Sequence, residues 1–529
     1  MFRLLPILYA LVGYAPVSAR AQFTETHLPI LRIEVATPVP DEPKVTGTLR
    51  VIDNGPGALN RPDDPATGYE GFIGIERRGQ SSLNWAKGSY GIETRKADGS
   101  NNNVELLGLP EENDWVLNGP FHDRSLLRNV FVYGLGRRLL AWSPRTRYVE
   151  LFINDSYRGV YVLAEKIKRD RHRVDVAKLD GDDNSGPALT GGYVLKIDKG
   201  VDETEVNHFK STYLPGGTHP EATIDVLYVD PKPDELTAAQ RAYIQGYFND
   251  FEDALAGPDF TDPQTGYAAY IDVGSFVDYL ILSELTGNLD AYRVSTYFHK
   301  PRGGKLVMGP LWDYNFSLGS TYFCEADDVE QWHYEFNSRC TEDRWLVPFW
   351  WQRLLEDPAF FTRVRTRYTA LRTGPLALDS LYARLDDQVM DLGEAAGRDY
   401  ARWPGTRWLT PYETDTHAGE VAALYRWLDE RIVFLDRQWL MPVLNQSTDW
   451  QVLSSAANTP LRIGYNLTAQ TAVTLRLFNT TGKLIYQELQ SLPAGRQVFR
   501  FSFPPPPGTY ILQWQATGQA PEAQLVVRY

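Results

Sequence analysis

Residues 287–315 read GNLDAYRVSTYFHKPRGGKLVMGPLWDYN, and they place two aspartates around a strand–turn–strand pair. Apolar residues at helical spacing predict a helix over Asp272–Thr286, so Asp290 follows the end of a helix. Asp313 follows the second strand of the pair. A strand that returns beside its partner brings both acids to one end of the sheet. The two predicted strands are Ser295–His299 and Lys305–Met308.

Two carboxylates at one end of a sheet suit a site for phosphate chemistry. Such a pair holds a magnesium ion and accepts a proton from a hydroxyl group. The same spacing also allows a structural interpretation, in which Asp290 is a turn residue and Asp313 caps a helix. The two residues alone leave both interpretations open.

A second candidate element lies upstream, where the turn Arg77–Ser82 separates two apolar strands. Its backbone N–H groups and hydroxyls form a fair cradle for phosphate, and Lys87 adds a positive charge just before the next strand. The turn fits an ordinary hairpin equally well. The candidate phosphate ligands are Arg78, Gly79, Ser81, Ser82 and Lys87.

Other patterns that bear on chemistry are weaker or missing. Glu165–Arg169 is a dense charge cluster, which we interpret as a solvated helix end. The aromatic run Phe349–Trp351 is expected to pack in the core rather than to form a platform for sugars. The sequence has no serine-hydrolase elbow, Walker A loop, dinucleotide fingerprint or HExxH helix.

The order of predicted elements indicates an α+β fold followed by a separate β domain. From Thr24 to Tyr228 short strands predominate, with one helix over Asp123–Leu140. From Asp234 the pattern is helical, and a strand-rich half followed by a helical half indicates α+β. Short alternating strands after residue 442 predict a small β-sandwich over residues 445–529. Two long helices are expected near Asp379–Tyr400 and Thr416–Leu440.

The composition is that of a globular protein, because 43% of the 529 residues are hydrophobic and 23% are charged. The balance of 53 Lys+Arg against 67 Asp+Glu gives a net charge of −14, without a basic run. Such a chain is a poor candidate for binding nucleic acid or anionic membranes. Two cysteines exclude a disulfide-framework protein and a CxxC-type zinc site.

Residues 1–21 are predicted to be a signal peptide. Their apolar run is too short and too interrupted to span a membrane, and Ala19–Ala21 is a small-x-small cleavage signal, so Gln22 is the expected mature N-terminus. A buried N-terminal helix is the alternative. No later stretch is long and apolar enough to span a membrane, so a soluble mature protein is expected. Export places Cys324 and Cys340 where a disulfide forms.

A series of blocks occurs in one order along the chain: Arg78–Ser82, Leu106–Pro110, Asp114–Leu117, Asn154 with Tyr157–Tyr161, Glu165-Lys166, Gly191–Tyr193 and Met308–Asp313. Together they resemble the spore coat protein CotH family over residues 30–440. Members of that family are similar in fold to protein kinases, and some phosphorylate proteins. The resemblance implies a kinase-like domain over residues 22–442 that uses ATP with Mg²⁺ or Mn²⁺. Asp290 matches the family's catalytic-loop acid, and Asp313 matches its metal-binding acid, the counterpart of the kinase DFG aspartate.

One position departs from the kinase pattern. Kinases place an asparagine five residues after the catalytic aspartate as the second metal ligand, and here that position is Ser295. A hydroxyl is a weaker ligand for magnesium than an amide oxygen. Asn288 or Asn315 are the residues nearby that would compensate. Ser295 is therefore the candidate second metal ligand beside Asp313. The departure bears on how active the protein is as a kinase.

The last 80 or so residues resemble a different module, the C-terminal sorting domain of the type IX secretion system. The features that match are Ile463–Leu467, the Asn479–Lys483 turn, Leu492–Gly495, Pro507–Tyr510 and the tail Leu525–Tyr529. The resemblance implies export through the periplasm to the cell surface of a Bacteroidetes-type bacterium, with the type IX machinery as a partner. A generic β-sandwich binding module is the alternative.

The sequence therefore favours a secreted or surface-attached CotH-type kinase that transfers phosphate from ATP to a serine or threonine of an unidentified protein. A non-catalytic surface binding protein or adhesin with the same fold is the main alternative, and Ser295 favours it. A glycan hydrolase with paired carboxylates is a third hypothesis. Stabilisation by nucleotide and magnesium separates the first from the second, and stabilisation by sugar indicates the third.

Overall fold

The structure, a computed structural model, describes residues 23–200, 206–404, 416–440, 450–454, 460–479, 483–501, 505–506, 508–518 and 521–528. The expected signal peptide and Gln22 lie outside the described residues, and so does the side chain of Ser81. In the part of the chain that is described, no helix is both long and apolar enough to cross a membrane.

The N-terminal strands form a closed barrel. Their order around the barrel is β1-β2-β3-β4-β7-β9-β8, and β1 and β8 close it as a parallel pair while the other neighbours are antiparallel. Inward-facing side chains such as Ile33, Ile75 and Trp115 fill the interior. The barrel strands are β1 (Ile30–Val35), β2 (Val45–Ile52), β3 (Glu70–Arg78), β4 (Ser89–Arg95), β7 (Asp114–Asn118), β8 (Thr146–Ile153) and β9 (Ser156–Glu165), and β5 (Val104–Leu106) and β6 (Leu109–Glu112) form a separate two-stranded sheet.

A second sheet and the helices form the larger core. The sheet has the order β11-β12-β10-β13-β14, and side chains from both its strands and the long helices share one apolar cluster. The strands are β10 (Tyr193–Ile197), β11 (His208–Lys210), β12 (Asp225–Asp230), β13 (Thr296–Lys300) and β14 (Val307–Met308). The helices are α1 (Arg128–Leu139), α2 (Gly186–Leu189), α3 (Ala238–Ala256), α4 (Val273–Thr286), α5 (Phe336–Arg339), α6 (Trp350–Leu355), α7 (Pro358–Arg372), α8 (Leu378–Leu392), α9 (Ala395–Arg402) and α10 (His417–Trp439).

The mixture of sheets and helices confirms the predicted mixed class, whereas closure of the barrel was not predicted. The strand–turn–strand pair is present as the antiparallel strands β13 and β14. The helical stretch expected near Asp379–Tyr400 is present, but the chain breaks at Gly393 and forms two helices, α8 and α9. Gly393 has a φ of 43°, a backbone conformation that does not continue a helix.

The C-terminal strands form two sheets around a separate apolar core. One sheet has the order β15-β16-β19 and the other β18-β17-β20-β21, and Trp450 of the first stacks on Trp514 of the second at 5.9 Å. Arg462 also pairs with Asp429 of α10 at 3.0 Å. The strands are β15 (Trp450–Ser454), β16 (Arg462–Leu467), β17 (Thr471–Asn479), β18 (Leu484–Leu492), β19 (Gly495–Arg500), β20 (Gly508–Ala516) and β21 (Glu522–Arg528).

The two cysteines are joined, as predicted. Cys324 and Cys340 form a disulfide with their Cα atoms 5.9 Å apart. It closes a loop in the segment that follows Asp313, between β14 and α6. This segment borders the cavity described below, so the disulfide restrains one of the cavity walls.

A buried glutamate in α3 makes the core sensitive to pH. Glu252 accepts hydrogen bonds from the Ser211 hydroxyl at 2.7 Å and from the Trp350 indole at 2.8 Å. Within the described residues it has no lysine or arginine at ion-pair distance. Burial raises the pKa of Glu252 from its ordinary 4.5 to about 7, because the charged form is poorly solvated there. The folded state therefore binds this proton more tightly than the unfolded state.

Replacing Glu252 with glutamine should remove this pH dependence. With a raised pKa in the folded state, the contribution of Glu252 to stability is greatest below pH 4.5 and is lost as the pH rises through 7. We expect the free energy of unfolding of Glu252→Gln, relative to wild type, to increase by about 3 kcal/mol between pH 4 and pH 8. Urea unfolding at both pH values measures it, with the exposed Glu111→Gln as control. Parallel wild-type and Glu252→Gln curves would contradict the assignment.

Candidate active site

A cavity of about 770 Å³ is bordered by the barrel on one side and by the second sheet and its loops on the other. The barrel contributes the turn after β3 and the loop between β7 and α1. The opposite side is formed by the end of β10, the loop after α4 and the segment after β14. Both predicted acids line this one cavity. The predicted site residues that border it are Arg78, Gly79, Ser82, Asp290, Ser295 and Asp313.

The end of α4 positions Asp290. Gly287 ends this helix in the left-handed conformation with a φ of 54°, and a Cβ there would lie 2.6 Å from the Trp427 ring. Only glycine fits this close approach. The backbone N–H of Asp290 donates to the Asn288 side chain at 3.3 Å. The Arg293 guanidinium donates to Oδ1 of the Asp290 carboxylate at 2.9 Å.

Two backbone hydrogen bonds tie the loop of Asp290 to the segment of Asp313. The N–H of Leu289 donates to the carbonyl of Phe316 at 3.0 Å. The N–H of Leu318 donates to the carbonyl of Thr286 at 2.6 Å. Because both acids sit on segments joined in this way, their separation is fixed by the backbone rather than by side-chain packing.

Helix α1 holds the backbone around Asp313. Asp313 has a left-handed φ of 62°, which is unusual for a residue other than glycine, asparagine or a turn aspartate. Its N–H donates to the Tyr133 hydroxyl at 3.0 Å, and the N–H of Tyr314 donates to the Asn129 side chain at 2.7 Å. Asn129 and Tyr133 are one turn apart on α1 and share a face. The strained backbone conformation is thus maintained by two donor–acceptor pairs.

Three carboxylates influence one another in the cavity. Burial, together with the charges of Asp290 and Asp198, raises the pKa of Asp313 to about 6, against the opposing effect of Arg78 and Lys199. Asp198 was not predicted as a site residue. It follows strand β10 and accepts from the Lys196 ammonium at 2.7 Å. An acid directly after a predicted strand was the available signal, but only the tertiary fold brings it to the other two.

The donor set fits a magnesium ion that is shared with phosphate. Among the described residues, no group of three or more histidine, cysteine or acidic side chains forms a metal site. Mg²⁺ is usually held by one or two carboxylates together with substrate phosphates, so an all-protein cage is not required. Burial and the nearby acids Asp290 and Asp198 disfavour the charged form of Asp313, and a divalent cation bound there would favour it. Asp313 is therefore the best-placed ligand, and Ser295 offers only a neutral hydroxyl.

The turn after β3 lies at the cavity as predicted. Gly79 has a φ of 122°, and a Cβ at this position would collide with the Ser82 side chain, so the tight turn needs glycine. The Arg78 guanidinium lies over the Trp312 ring at 5.3 Å and has no ion pair among the described residues. Its positive charge is therefore available to an anionic ligand.

The structure places Lys87 away from the cavity, where a phosphate ligand was predicted. Lys87 does not line the cavity; its ammonium lies 2.6 Å from Oδ1 of Asp399, and the two side chains are 1% and 0% exposed. Asp399 also accepts from the backbone N–H of Val160 at 2.9 Å. Lys87 and Asp399 thus join helix α9 to the barrel. Desolvation lowers the pKa of Lys87, against the opposing effect of Asp399.

Two other sequence interpretations have clear outcomes. Glu165 is the buried last residue of β9 and binds Arg145 through both carboxylate oxygens, at 2.9 and 2.7 Å, so the expected solvated helix end is wrong there. Trp350 and Trp351 are buried in the helical core, which confirms the packing role of that aromatic run.

Aromatic rings form a part of the cavity wall that the sequence analysis missed. Trp85 stacks near Phe121 with ring centroids 6.0 Å apart, and His122 lies between Trp85 at 4.1 Å and Phe316 at 6.0 Å. All four residues line the cavity. They come from the turn after β3, the β7–α1 loop and the segment after Asp313, which are distant in sequence. A planar apolar ligand could stack there.

Comparison with known proteins gives one family. Residues 75–435 match the family described as CotH kinase protein, a span of more than half of the chain that includes every cavity element described above except the segment before residue 75. A comparison with curated protein sequences finds no significant match.

The ion pair of Lys87 leads to a test that separates a structural role from a phosphate-binding one. We expect Lys87→Met to lower the free energy of unfolding by about 3 kcal/mol, because the buried Asp399 charge then keeps only Arg124, 4.0 Å from its other oxygen. Affinity of the folded protein for nucleotide should be unchanged, since Lys87 is not in the cavity wall. Urea unfolding and nucleotide titration measure the two effects.

Lys178→Met is the matched control, because this lysine is exposed and its pairing with Asp180 is at the surface. Exposed pairs contribute little, so a change below about 0.5 kcal/mol is expected. Weaker nucleotide binding by Lys87→Met at unchanged stability would instead make Lys87 a phosphate ligand.

Proposed function

The chain belongs to the CotH kinase family, and we propose that it is a protein kinase that transfers the terminal phosphate of ATP to a serine or threonine hydroxyl. One observation carries this proposal: Asp290, Asp313 and the Arg78–Ser82 turn border a single cavity, and backbone hydrogen bonds fix the two acids relative to each other. Phosphoryl transfer depends mainly on positioning and on neutralising charge, and such a constellation supplies both.

In the proposed reaction Asp290 orients the acceptor hydroxyl and takes its proton. The hydroxyl oxygen forms a bond to the terminal phosphorus, the bond from that phosphorus to the bridging oxygen breaks, and ADP departs with the electron pair. Arg78 and the backbone of the Gly79–Ser82 turn hold the phosphates. Asp313, with Ser295 as the weaker second candidate, would hold Mg²⁺ or Mn²⁺, which when bound neutralises phosphate charge.

The aromatic wall supports a nucleotide as the ligand. Trp85, Phe121 and His122 offer ring surfaces on which a base can stack, beside the turn proposed to hold phosphate. Burial lowers the pKa of His122 to about 4, so its ring is neutral at physiological pH and presents an apolar face. Stacking combined with a cationic turn is the arrangement that a nucleoside triphosphate requires.

The second candidate is a surface binding protein that keeps the fold without turnover. Ser295 favours it, because an asparagine stands at this position in active kinases. A binding protein without a nucleotide site would show no stabilisation by ATP and magnesium, whereas the proposed kinase would. The retention of both acids favours the kinase.

We also propose how the protein reaches its site of action. Residues 1–21 are a signal peptide, residues 22–442 the kinase-like domain, and residues 445–529 a sorting domain read by a type IX secretion machinery in a Bacteroidetes-type bacterium. The separate apolar core of the two C-terminal sheets supports an independently folded module. The protein would then act outside the cell or at its surface on an unidentified protein.

Substitution of the two acids should give different defects. We expect Asp313→Asn to lose magnesium-dependent stabilisation by ATP, because the amide cannot replace the charge of the metal ligand. Asp290→Asn should keep that stabilisation but lose transfer by about 10²-fold or more, since it removes the proton acceptor. Thermal shift with and without magnesium, and radiolabel transfer to the protein itself or a co-secreted partner, measure these effects.

The matched control is Asp182→Asn, an exposed carboxylate outside the cavity, which should behave as wild type in both assays. If Asp290→Asn and Asp313→Asn both transfer phosphate at the wild-type rate, the two acids have been misassigned.

The left-handed backbone of Ser295 makes an informative substitution possible. Ser295 has a φ of 50°, and asparagine is among the residues that tolerate this conformation best. We therefore expect Ser295→Asn to fold normally and to tighten magnesium-dependent ATP binding, because an amide oxygen is the better ligand. Isothermal titration with Mg²⁺-ATP measures it. A loss of transfer activity in this variant would show that the hydroxyl has another role.

Removal of residues 445–529 tests the sorting proposal. Among the described residues of this region none lines the cavity, so the truncated protein should bind Mg²⁺-ATP with unchanged affinity. In the native host, the same truncation should leave the protein in the periplasm. Cell fractionation with immunodetection measures its location. Normal appearance of the truncated protein outside the cell would refute sorting and favour a binding module.

A further inference from the structure

Arg293 stands out among the residues of the cavity wall because it is almost fully buried and touches the proposed proton acceptor. Its side chain is 5% exposed. Nη2 donates to Oδ1 of Asp290 at 2.9 Å, and Nε donates to the carbonyl of Leu289 at 3.1 Å. Arg293 thus binds both the carboxylate and the backbone of the loop that carries it. The sequence analysis did not identify this residue.

Residues from the segment around Cys340 hold the rest of the Arg293 guanidinium. Nη1 donates to the carbonyl of Trp345 at 2.8 Å and lies 3.5 Å from the Asp343 carboxylate. The guanidinium plane covers the Phe336 ring at 3.9 Å. A planar group held at three nitrogens and on one face has little freedom to rotate. Arg293 therefore presents Nη2 to Asp290 from a fixed position.

We propose that Arg293 is the positioning residue of Asp290. This inference rests on the proposed function, in which Asp290 accepts the proton of the acceptor hydroxyl. Arg293 holds Oδ1 of Asp290, a residue that lines the cavity, and no hydrogen bond to Oδ2 is found among the described residues. A charge-assisted hydrogen bond to one oxygen restricts rotation of the carboxylate about χ2 and leaves the other oxygen free to accept a proton.

The partners of Arg293 extend this constraint to the disulfide. Phe336, Asp343 and Trp345 lie on either side of Cys340, which is bonded to Cys324. Thr321 and Phe323, just before Cys324, also border the cavity. The disulfide thus links the part of the wall near Thr321 and Phe323 to the part that contacts Arg293. The wall acts on the proton acceptor through Arg293, which contacts both.

A purely structural role for Arg293 makes different kinetic predictions from a positioning role. A structural role lowers stability and the amount of active protein, and leaves the rate constants of the folded protein unchanged. A positioning role lowers kcat at constant KM for ATP, because Arg293 orients the proton acceptor and not the nucleotide. Misplacement of a catalytic group by about 1 Å costs on the order of 10²-fold in rate.

The test compares Arg293→Ala and Arg293→Lys with wild type, using kcat, KM for ATP and thermal stabilisation by Mg²⁺-ATP. We expect kcat to fall about 10- to 100-fold in both variants at unchanged KM and unchanged stabilisation. Guanidinium ion at non-denaturing concentration should restore part of kcat in Arg293→Ala and none in wild type, because it fills the vacated site. Arg372→Lys is the control, since this arginine holds Asp436 at 2.9 Å in the helical core outside the cavity.

Each outcome has one meaning. Unchanged kcat in both variants, or raised KM with unchanged kcat, would overturn the positioning role, the latter by making Arg293 a nucleotide ligand. If Arg293→Ala does not fold, Arg293→Lys carries the test, because lysine keeps the charge but lacks the planar fork. A wild-type protein that binds Mg²⁺-ATP but transfers no phosphate would reject the proposed kinase function, and the role of Arg293 with it.

Discussion

Two backbone hydrogen bonds hold the centre of this structure together, one from Leu289 to Phe316 and one from Leu318 to Thr286. They cross-link the end of α4 to the segment that follows β14, and each of the two segments carries one acid of the cavity. Side chains can change rotamer at little cost, but paired backbone groups in a buried loop cannot separate without leaving unsatisfied donors and acceptors. The remaining contacts of the cavity are arranged around this fixed frame.

The cavity walls show how an acidic protein manages concentrated negative charge. Asp198, Asp290 and Asp313 line one cavity, but they differ in their cationic partners. Lys196 pairs with Asp198 and Arg293 with Asp290, whereas Asp313 has no ion pair among the described residues. The acid without a direct partner is the one whose pKa rises to about 6. This difference agrees with the proposed roles, in which Asp313 is a metal ligand and Asp290 a proton acceptor.

Elements whose formation depends on neighbouring residues in the sequence were predicted correctly. The helix over Asp272–Thr286 was found from apolar spacing and a capping residue, and in the structure the Asp272 side chain accepts from the Ser275 N–H at 2.8 Å. Closure of the barrel was not predicted. Alternation of apolar and polar residues predicts a strand but does not indicate which other strand it pairs with, and β1 and β8 are brought together only by the tertiary fold. Lys87 was misplaced for the same reason: a lysine before a strand gives no sign of whether it meets a phosphate or a buried acid. The positions of Asp198 and Arg293 at the cavity were not predicted, because they depend on contacts between loops that are distant in the sequence.

The ion pair of Lys87 and Asp399 also bears on the order in which the chain folds. Its two residues are 312 positions apart, and α9 arrives only after most of the domain has been synthesised. Contacts of such long range must repay the entropy of closing a large loop before they contribute, and chains rich in them fold slowly. Until α9 is in place, the barrel contains an ammonium group with no counter-charge at a site that is buried in the finished protein. The final stability of the barrel therefore depends on a helix that lies far along the chain, and we expect a chain that ends before α9 to form a less stable barrel.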